Sequence, residues 1–495
     1  MGLLKFRLPA DPGPETELKR AYVVGLDRSP TRGTVEIRQG ILSVNRQEPE
    51  SGRLVIPFTT RRLGRLVLST ATLAERAQPY DLALELARGT VNDLLNQNAE
   101  WEALGLQRTG PLNEHLKASR HFLSKAVTAN LAADVETFAN LAIENAIEGG
   151  RILAGLYAQE VTQRRRELKS LSGTSLALEV PETILSSPLP STITKGFTGG
   201  RVHCQWGTVV PDSGRFNWNV LDAQMDWCAE RNLTPSIGPL IDLRPHALPD
   251  WLWLWQGDFD AIVDQATELT QATLERYRGK ISTWQLVHRV CSSKILGLSE
   301  EEQIRLTARL VQVARQIEPR AHLIVGFDRP WGDRLATGNT TLGPLHLADA
   351  LAHADLGLSG IALEFAPGYQ APGSPLRELL EFSRLLDLYS LIGLPLHISL
   401  AIPSSTEPDT TVAGLASADP TAWPEPVDES LQWSWAKNWL ELAVAKPFVK
   451  SVTWLEASDA NPRLYTHSGL VRPDGSPKPL STWVEGFGLR LRAGP

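Results

Sequence analysis

Apolar residues follow two different rhythms along this chain. Up to about residue 75 they come in short β-branched runs: Tyr22-Val-Val, Thr34-Val-Glu-Ile-Arg, Gly40-Ile-Leu-Ser-Val, Arg53-Leu-Val-Ile and Arg65-Leu-Val-Leu. Glycine, proline or charged turns separate them, which predicts strands, and runs this close together predict a small antiparallel sandwich. Residues 76–171 then read as helical. A first helix is expected from Asp81 to Leu104, stopped by Gly105, and a second from Leu112 to about Ala129. A third, with Asn130 as cap, runs to about Lys169. On this last helix Val135, Phe138, Ala142, Ala146, Gly149, Leu153 and Leu156 form one stripe at three-to-four spacing, small enough mid-stripe for a close partner. The basic end, Gln163-Arg-Arg-Arg-Glu-Leu-Lys, suits the negative pole of a helix.

From residue 172 to 495 strands alternate with helices. The expected strands are Ser175–Val180, Arg201–Trp206, Thr234–Gly238, Thr283–His288, Leu323–Phe327, Gly360–Phe365, Leu396–Ala401 and Ser451–Glu456. Helical spacers such as 258–277, 300–317, 375–392 and 428–445 separate them. Eight strands in this alternation predict an α/β fold, a (β/α)8 TIM barrel, with its chemistry at the C-terminal ends of the strands. The domain organisation expected is therefore a β-sandwich-like module (1–75), a helical segment (76–171) and the barrel (172–495). The Pro/Ser/Thr-rich stretch from Pro403 to Pro426 reads as a long loop at the same face.

Composition narrows the function. The 495 residues carry 49 Lys+Arg against 56 Asp+Glu, a net charge of −7 with no long basic run, so nucleic acid and anionic membranes are not expected partners. The start lacks the sustained apolar core of a signal peptide, and no stretch reaches the ~18 apolar residues of a membrane span, so a cytoplasmic location is expected. Cys204, Cys228 and Cys291 are far apart, without metal-ligand spacing. His203, His288 and Asp242 do not have that spacing either, and no metal is expected. Without a Gly-rich phosphate loop or a Gly-x-Ser-x-Gly elbow, no cofactor is expected. Of 15 tryptophans only Trp101 precedes residue 200, which again marks two architectures.

Several stretches of the barrel segment, in order, carry a resemblance. They are Gln205-Trp-Gly-Thr-Val-Val-Pro-Asp-Ser-Gly-Arg-Phe-Asn-Trp, Leu248-Pro-Asp-Trp-Leu, Tyr277-Arg-Gly-Lys-Ile-Ser-Thr-Trp-Gln-Leu-Val-His, Val452-Thr-Trp-Leu and Gly469-Leu-Val-Arg-Pro-Asp-Gly-Ser-Pro-Lys-Pro. Over residues 172–485 the chain resembles glycoside hydrolase family 10, the xylanases. That resemblance implies a retaining mechanism, in which one glutamate protonates the leaving oxygen and a second, about 5–5.5 Å away, attacks the sugar. The acid/base glutamate of the family follows Asn at the end of the fourth strand, where this chain has His288-Arg289. Its nucleophile lies on the seventh strand, where this chain has Leu400 in Ile398-Ser399-Leu400-Ala401-Ile402. A guanidinium, with a pKa above about 12, is no general acid, and leucine is no nucleophile. The family's sugar clamp also reads Val202-His203-Cys204-Gln205-Trp206 here, and its His-x-x-x-Trp-His passage reads Leu240-Ile-Asp-Leu-Arg-Pro.

Acidic residues elsewhere on the face offer substitutes. Strand period turns Glu364 of the sixth strand toward the axis, and Glu456 is expected to share the face of Trp454, with Asp459, Asp242 and Asp328 nearby. Glu364 and Glu456 are thus candidate relocated catalytic carboxylates, at the ~6.5–9.5 Å separation of an inverting pair. The competing reading pairs Glu364 with Arg289 as a buried ion pair. His288 and Arg289, helped by Arg244 and Arg329, would clamp an acidic or sulfated saccharide. Trp206, Trp331 and Trp454 are candidate sugar platforms. His397 reads as a satisfied core histidine. Trp251 reads as structural, and Trp433, Trp435 and Trp439 as helix packing.

The leading expectation is a carbohydrate-related protein, either a saccharide-binding pseudoenzyme or a non-classical glycosidase. One alternative is an active hydrolase using Glu364 and Glu456. The other is an assembly protein with an inert barrel, forming homo-oligomers through helices 81–169.

Overall fold

The computed structural model describes residues 2–492 apart from 27, 47–48, 169–172, 187–188, 191, 293, 338–340, 372, 409–413 and 425. The expected helix end at Lys169, the boundary at 171–172 and part of the 403–426 loop lie outside the described residues.

The first strand, β1 (Gly2–Arg7), buries alternate residues and is missing from the sequence expectation. After the one-turn α1 (Glu15–Leu18) come β2 (Tyr22–Val24), β3 (Pro30–Thr31), β4 (Gly33–Arg38), β5 (Ile41–Arg46), β6 (Arg53–Thr60), β7 (Gly64–Ser69) and β8 (Tyr80–Asp81). They form two four-stranded sheets, ordered β4-β5-β1-β8 and β3-β2-β6-β7, antiparallel except for the β1–β8 pairing.

Three helices follow: α2 (Leu82–Ala103), α3 (Gly110–Thr128) and α4 (Ala132–Glu167). Asp81 caps α2 through the Leu84 amide at 3.1 Å, and Gly105 ends the turn beyond it with a φ of 98°. The cap position of α4 is Leu131, not Asn130, and no side chain caps it. The small-residue stripe of α4 is used inside the chain. Gly149 lies against Leu94 of α2, and Gly150 against Leu380 of the barrel helix α10 (Leu379–Ser390).

Eight parallel strands close the barrel: β9 (Ser175–Val180), β10 (Gly199–Val202), β11 (Thr234–Ile237) extended by β12 (Ile241–Asp242), β13 (Thr283–His288), β14 (His322–Asp328), β15 (Gly360–Phe365), β16 (Leu396–Leu400) and β17 (Val449–Trp454). The ring closes where β17 pairs with β9 and where β11 meets β13. The helices around it are α5 (Trp206–Val209), α6 (Asn219–Glu230), α7 (Phe259–Arg276), α8 (Glu300–Ile317), α9 (Pro344–His353), α10, α11 (Glu429–Ala445) and α12 (Pro479–Arg492). Ser299 caps α8 in a reciprocal capping box with Glu302.

Register sorts the residues of each strand onto two faces. Phe365 and Leu400 are Cα partners, as are Leu400 and Trp454. Phe365 packs edge-on against Phe382 of α10 and Trp439 of α11, so this face belongs to the helix layer. Glu364, Ser399 and Thr453, offset by one residue, face the axis. One continuous apolar core runs from the N-terminal sheets through α2–α4 into the barrel. The link is also polar. Arg65 and Val67 of β7 donate backbone N–H bonds to Ala422 and Leu376 of the barrel loops, each 2.9 Å, and Arg377 reaches the Tyr22 hydroxyl at 3.0 Å. Among the described residues no helix is long and apolar enough to cross a membrane.

Candidate functional site

The axis of a barrel is ordinarily filled by branched aliphatic layers. Here the upper layers are charged. Arg289 follows β13 directly in a left-handed backbone conformation (φ 63°), which costs a non-glycine residue about 1–2 kcal/mol. Its guanidinium donates to both oxygens of Asp242 at 2.9 and 2.8 Å and to Oε1 of Glu364, and lies 3.9 Å from Asp328. Asp242 also holds Arg244 at 2.8 Å, and Asp328 also takes Arg334 at 3.2 Å and the Ser292 hydroxyl. His288 Nε2 stands 3.1 Å from the second oxygen of Glu364. The ring fits only because Gly326 faces it, since a Cβ there would lie 2.2 Å from His288 Nδ1.

Sequence reasoning overlooked Tyr465, Arg201, Glu179 and Arg463, and weighed His203 only as a metal ligand and a sugar-clamp position. The Tyr465 hydroxyl donates to Glu364 Oε1 at 2.7 Å from the loop after β17. Arg201 of β10 donates to Glu179 of β9 and, at 2.8 Å, to the Ser399 hydroxyl. Arg463 and His203 stand 3.7 and 3.5 Å from the same Glu179 carboxylate. The available signal was a charge at an inward-facing position on each of two adjacent strands.

This network is buried from bulk solvent. Arg289, Asp242, Asp328, Glu364, His288 and Glu179 are each at most 5% exposed. Burial alone would raise the carboxyl pKa values, yet Arg289 and His288 hold Glu364 well below the usual carboxylate range. Arg244 and Arg289 do the same for Asp242, and Arg201 with His203 for Glu179. Arg289 is correspondingly raised, its burial outweighed by Asp242 and Glu364.

Glu456 stands apart from Glu364 in its role. Its carboxylate accepts the backbone N–H groups of Arg463, Leu464 and Tyr465 at 2.9, 2.8 and 3.1 Å and so pins the loop that carries Tyr465. Burial raises its pKa, opposed by Arg463. Asp459 pairs with buried Lys478 at 2.5 Å and accepts the Gly469 N–H. Trp206 and Trp454 are buried, and Trp331 is 9% exposed and packed against Phe365. Trp454 donates its indole N–H to Ser468, and Trp251 donates to Val210. Trp439 stacks on Phe382 as expected of helix packing. His397 bonds Ser451 at 2.8 Å. Among the described residues no group of three His, Cys, Asp or Glu side chains is placed to hold a metal.

Loops cover the mouth. Tyr369 bridges to Ala418, Ala416 bridges to Tyr465, and the Tyr369 and Tyr465 rings lie 5.0 Å apart over a small apolar cluster that includes Ala401 and Leu455. At the edge of this cover, between the β6–β7 hairpin and the loop after β15, lies a cleft of about 420 Å³. Arg20, Arg65, Arg329, Tyr369, Gln370 and Asp419 line it. Arg65 pairs with Asp419 at 2.5 Å, and Arg329 donates to the Gly373 carbonyl at 3.0 Å.

The barrel superposes on xylanase 10B from Thermotoga maritima with a TM-score of 0.50 at 13% identity, over 66% of this chain and 98% of that one. It has the fold of a family 10 xylanase. Similar matches are an endoxylanase of that family from a sugarcane soil metagenome (14% identity, TM-score 0.49, 64% and 96% covered) and xylanase 10C from Cellvibrio japonicus (15%, 0.49, 64% and 70%). At this identity the likeness is one of fold. No protein-family model matches the sequence, and no curated protein does.

Proposed function

We propose that this protein is a saccharide-binding pseudoenzyme built on the xylanase barrel, holding its ligand in the polar cleft at the mouth without cleaving it. The observation that carries this reading is Arg289 at the end of β13, locked between Asp242 and Glu364. By the sequence resemblance, Arg289 and Leu400 stand for the family's acid/base and nucleophile. In support, Arg289 already serves two carboxylates, and Leu400 is wholly buried on the helix-facing side of β16. Relocated catalysis through Glu364 and Glu456 would require carboxyls free to exchange protons with substrate. Glu364 is saturated by Arg289, His288 and Tyr465, and Glu456 by three amides.

His288 and Arg289 are likewise engaged, so a clamp for an acidic sugar there would first have to displace Glu364. The mouth-edge cleft is the better ligand site, because exposed Gln370 and Arg20 give it polar groups at its rim. The test is a broad polysaccharide panel read for binding and for new reducing ends. Wild type is expected to retain at least one glycan and release nothing, with retention weakened about tenfold in a Gln370→Ala/Arg20→Ala double variant. Reducing ends that vanish in Glu364→Gln or Glu456→Gln would establish a hydrolase instead. Absence of all binding would leave an inert barrel.

A further inference from the structure

Below Arg201 the polar axis does not close. The first residues of the strands surround a cavity of about 390 Å³ at the N-terminal end of the barrel, opposite the mouth. Ser236, Thr283, Ser359 and Ser451 line it, together with Gln285 and four basic side chains: Arg201 of β10, His322 of β14, His397 of β16 and Lys450 of β17. Not one lining residue is an aspartate or glutamate. Glu179, in the layer above, is engaged by Arg201. Lys450 makes no ion pair among the described residues and is exposed at the rim, as is His322. The volume lies within the ~300–1,000 Å³ of small-molecule sites, and it is larger than a hydrated ion alone requires.

We propose that this end of the barrel is a second ligand site, which takes a small tetrahedral oxyanion, free or carried on a polyol. Lys450, with no carboxylate among the lining residues to neutralise it, and the basic side chains beside it supply the charge and donors such a dianion needs, and the serine and threonine residues around the cavity suit a polyol attached to it. His397 reports on this potential. Burial together with Arg201, His322 and Lys450 pushes its pKa down to about 4. The imidazole is therefore neutral in the empty site, and a bound anion raises its pKa, so binding takes up a proton and tightens as pH falls. Arg201, His322 and Lys450 are the charged groups that act on it.

Calorimetric titration of the full chain tests this with sodium sulfate, which does not itself titrate between about pH 5.5 and about pH 8, and with glucose 6-phosphate. Saturable binding of one anion per chain is expected, tighter for sulfate at the lower pH and accompanied by proton uptake. Both Lys450 and His322 are exposed, so a Lys450→Ala/His322→Ala variant keeps its fold. It is expected to lose about tenfold or more in affinity. A preference for glucose 6-phosphate assigns a polyol phosphate, and equal affinity assigns the bare anion. The absence of saturable heat with either probe, or an unchanged affinity in the double variant, would overturn the site. Glycan retention at the mouth is read separately and is unaffected by these two substitutions.

Discussion

Arg289 holds Asp242 and Glu364 on one buried guanidinium, so its removal strands both carboxylates. Breaking a buried pair from one side costs about 3–5 kcal/mol, and Arg289→Met is expected to lose that much in urea denaturation. Adding Glu364→Gln recovers part of the loss, because one of the stranded charges goes with it. The two candidate glutamates respond to pH with opposite signs. Glu364 has a folded pKa below its unfolded value of about 4.3, so its stabilisation is present above that value and is lost as pH falls through the folded pKa. Glu364→Gln therefore flattens the acid limb of the stability curve. Glu456 has a raised folded pKa, so its contribution is present below the unfolded value and is lost as pH rises through the folded one. Glu456→Gln keeps one oxygen for the Leu464 and Tyr465 amides but sets its NH2 against the Arg463 N–H, and relative to wild type it should gain stability as pH rises from about 4 to 7. Parallel pH curves for the two variants would contradict the different environments described for them.

At the scale of the element, α4 shows how a sequence stripe acquires a partner. Its small residues announced a close neighbour in the sequence, and α2, α3 and α10 of the same chain supply one. A Cβ on Gly150 would lie 3.0 Å from Leu380, whereas one on Gly155, on the exposed face, would meet nothing within 4 Å. Gly150→Val is therefore expected to cost about 1–3 kcal/mol by overpacking. Gly155→Ala should add up to about 1 kcal/mol by restricting the unfolded chain and improving helix propensity. Thermal melts that place both variants on the same side of wild type would refute this assignment of the two faces. The barrel strands were legible to within a few residues because fully buried strands are short, apolar and bounded by turns. β1 escaped because it sits alone before Pro9, without a neighbouring run to mark it as half of a pair.

For the whole molecule, the N-terminal sheets and α2–α4 are fastened to the barrel by a shared apolar core, by the hydrogen bonds of β7 to the Leu376 and Ala422 loops, and by Arg151 of α4 on Glu378 at 2.9 Å. Removing residues 1–172 uncovers the faces of α10 and α11 that α4 packs against. The remaining barrel is expected to melt lower and to aggregate in size-exclusion chromatography, since newly exposed apolar surface of this kind associates. A monomer with the melting temperature of the full chain would show instead that the barrel stands alone.

Periodicity alone carried the alternation of strands and helices, and the order of short motifs carried the likeness to the xylanase barrel, because both are local properties of neighbouring residues. Parity along β15 also turned Glu364 toward the axis. What no local pattern could settle was which charges meet there. Asp242, Arg289, Glu364 and Tyr465 come from four separate stretches of chain, and Glu179 meets Arg201, His203 and Arg463 only once the barrel has closed. Whether a carboxylate is an acid in waiting or half of an ion pair depends on distances of about 3 Å between residues far apart in sequence. Those distances exist only in the closed barrel, where loss of water makes each charge dependent on its partner.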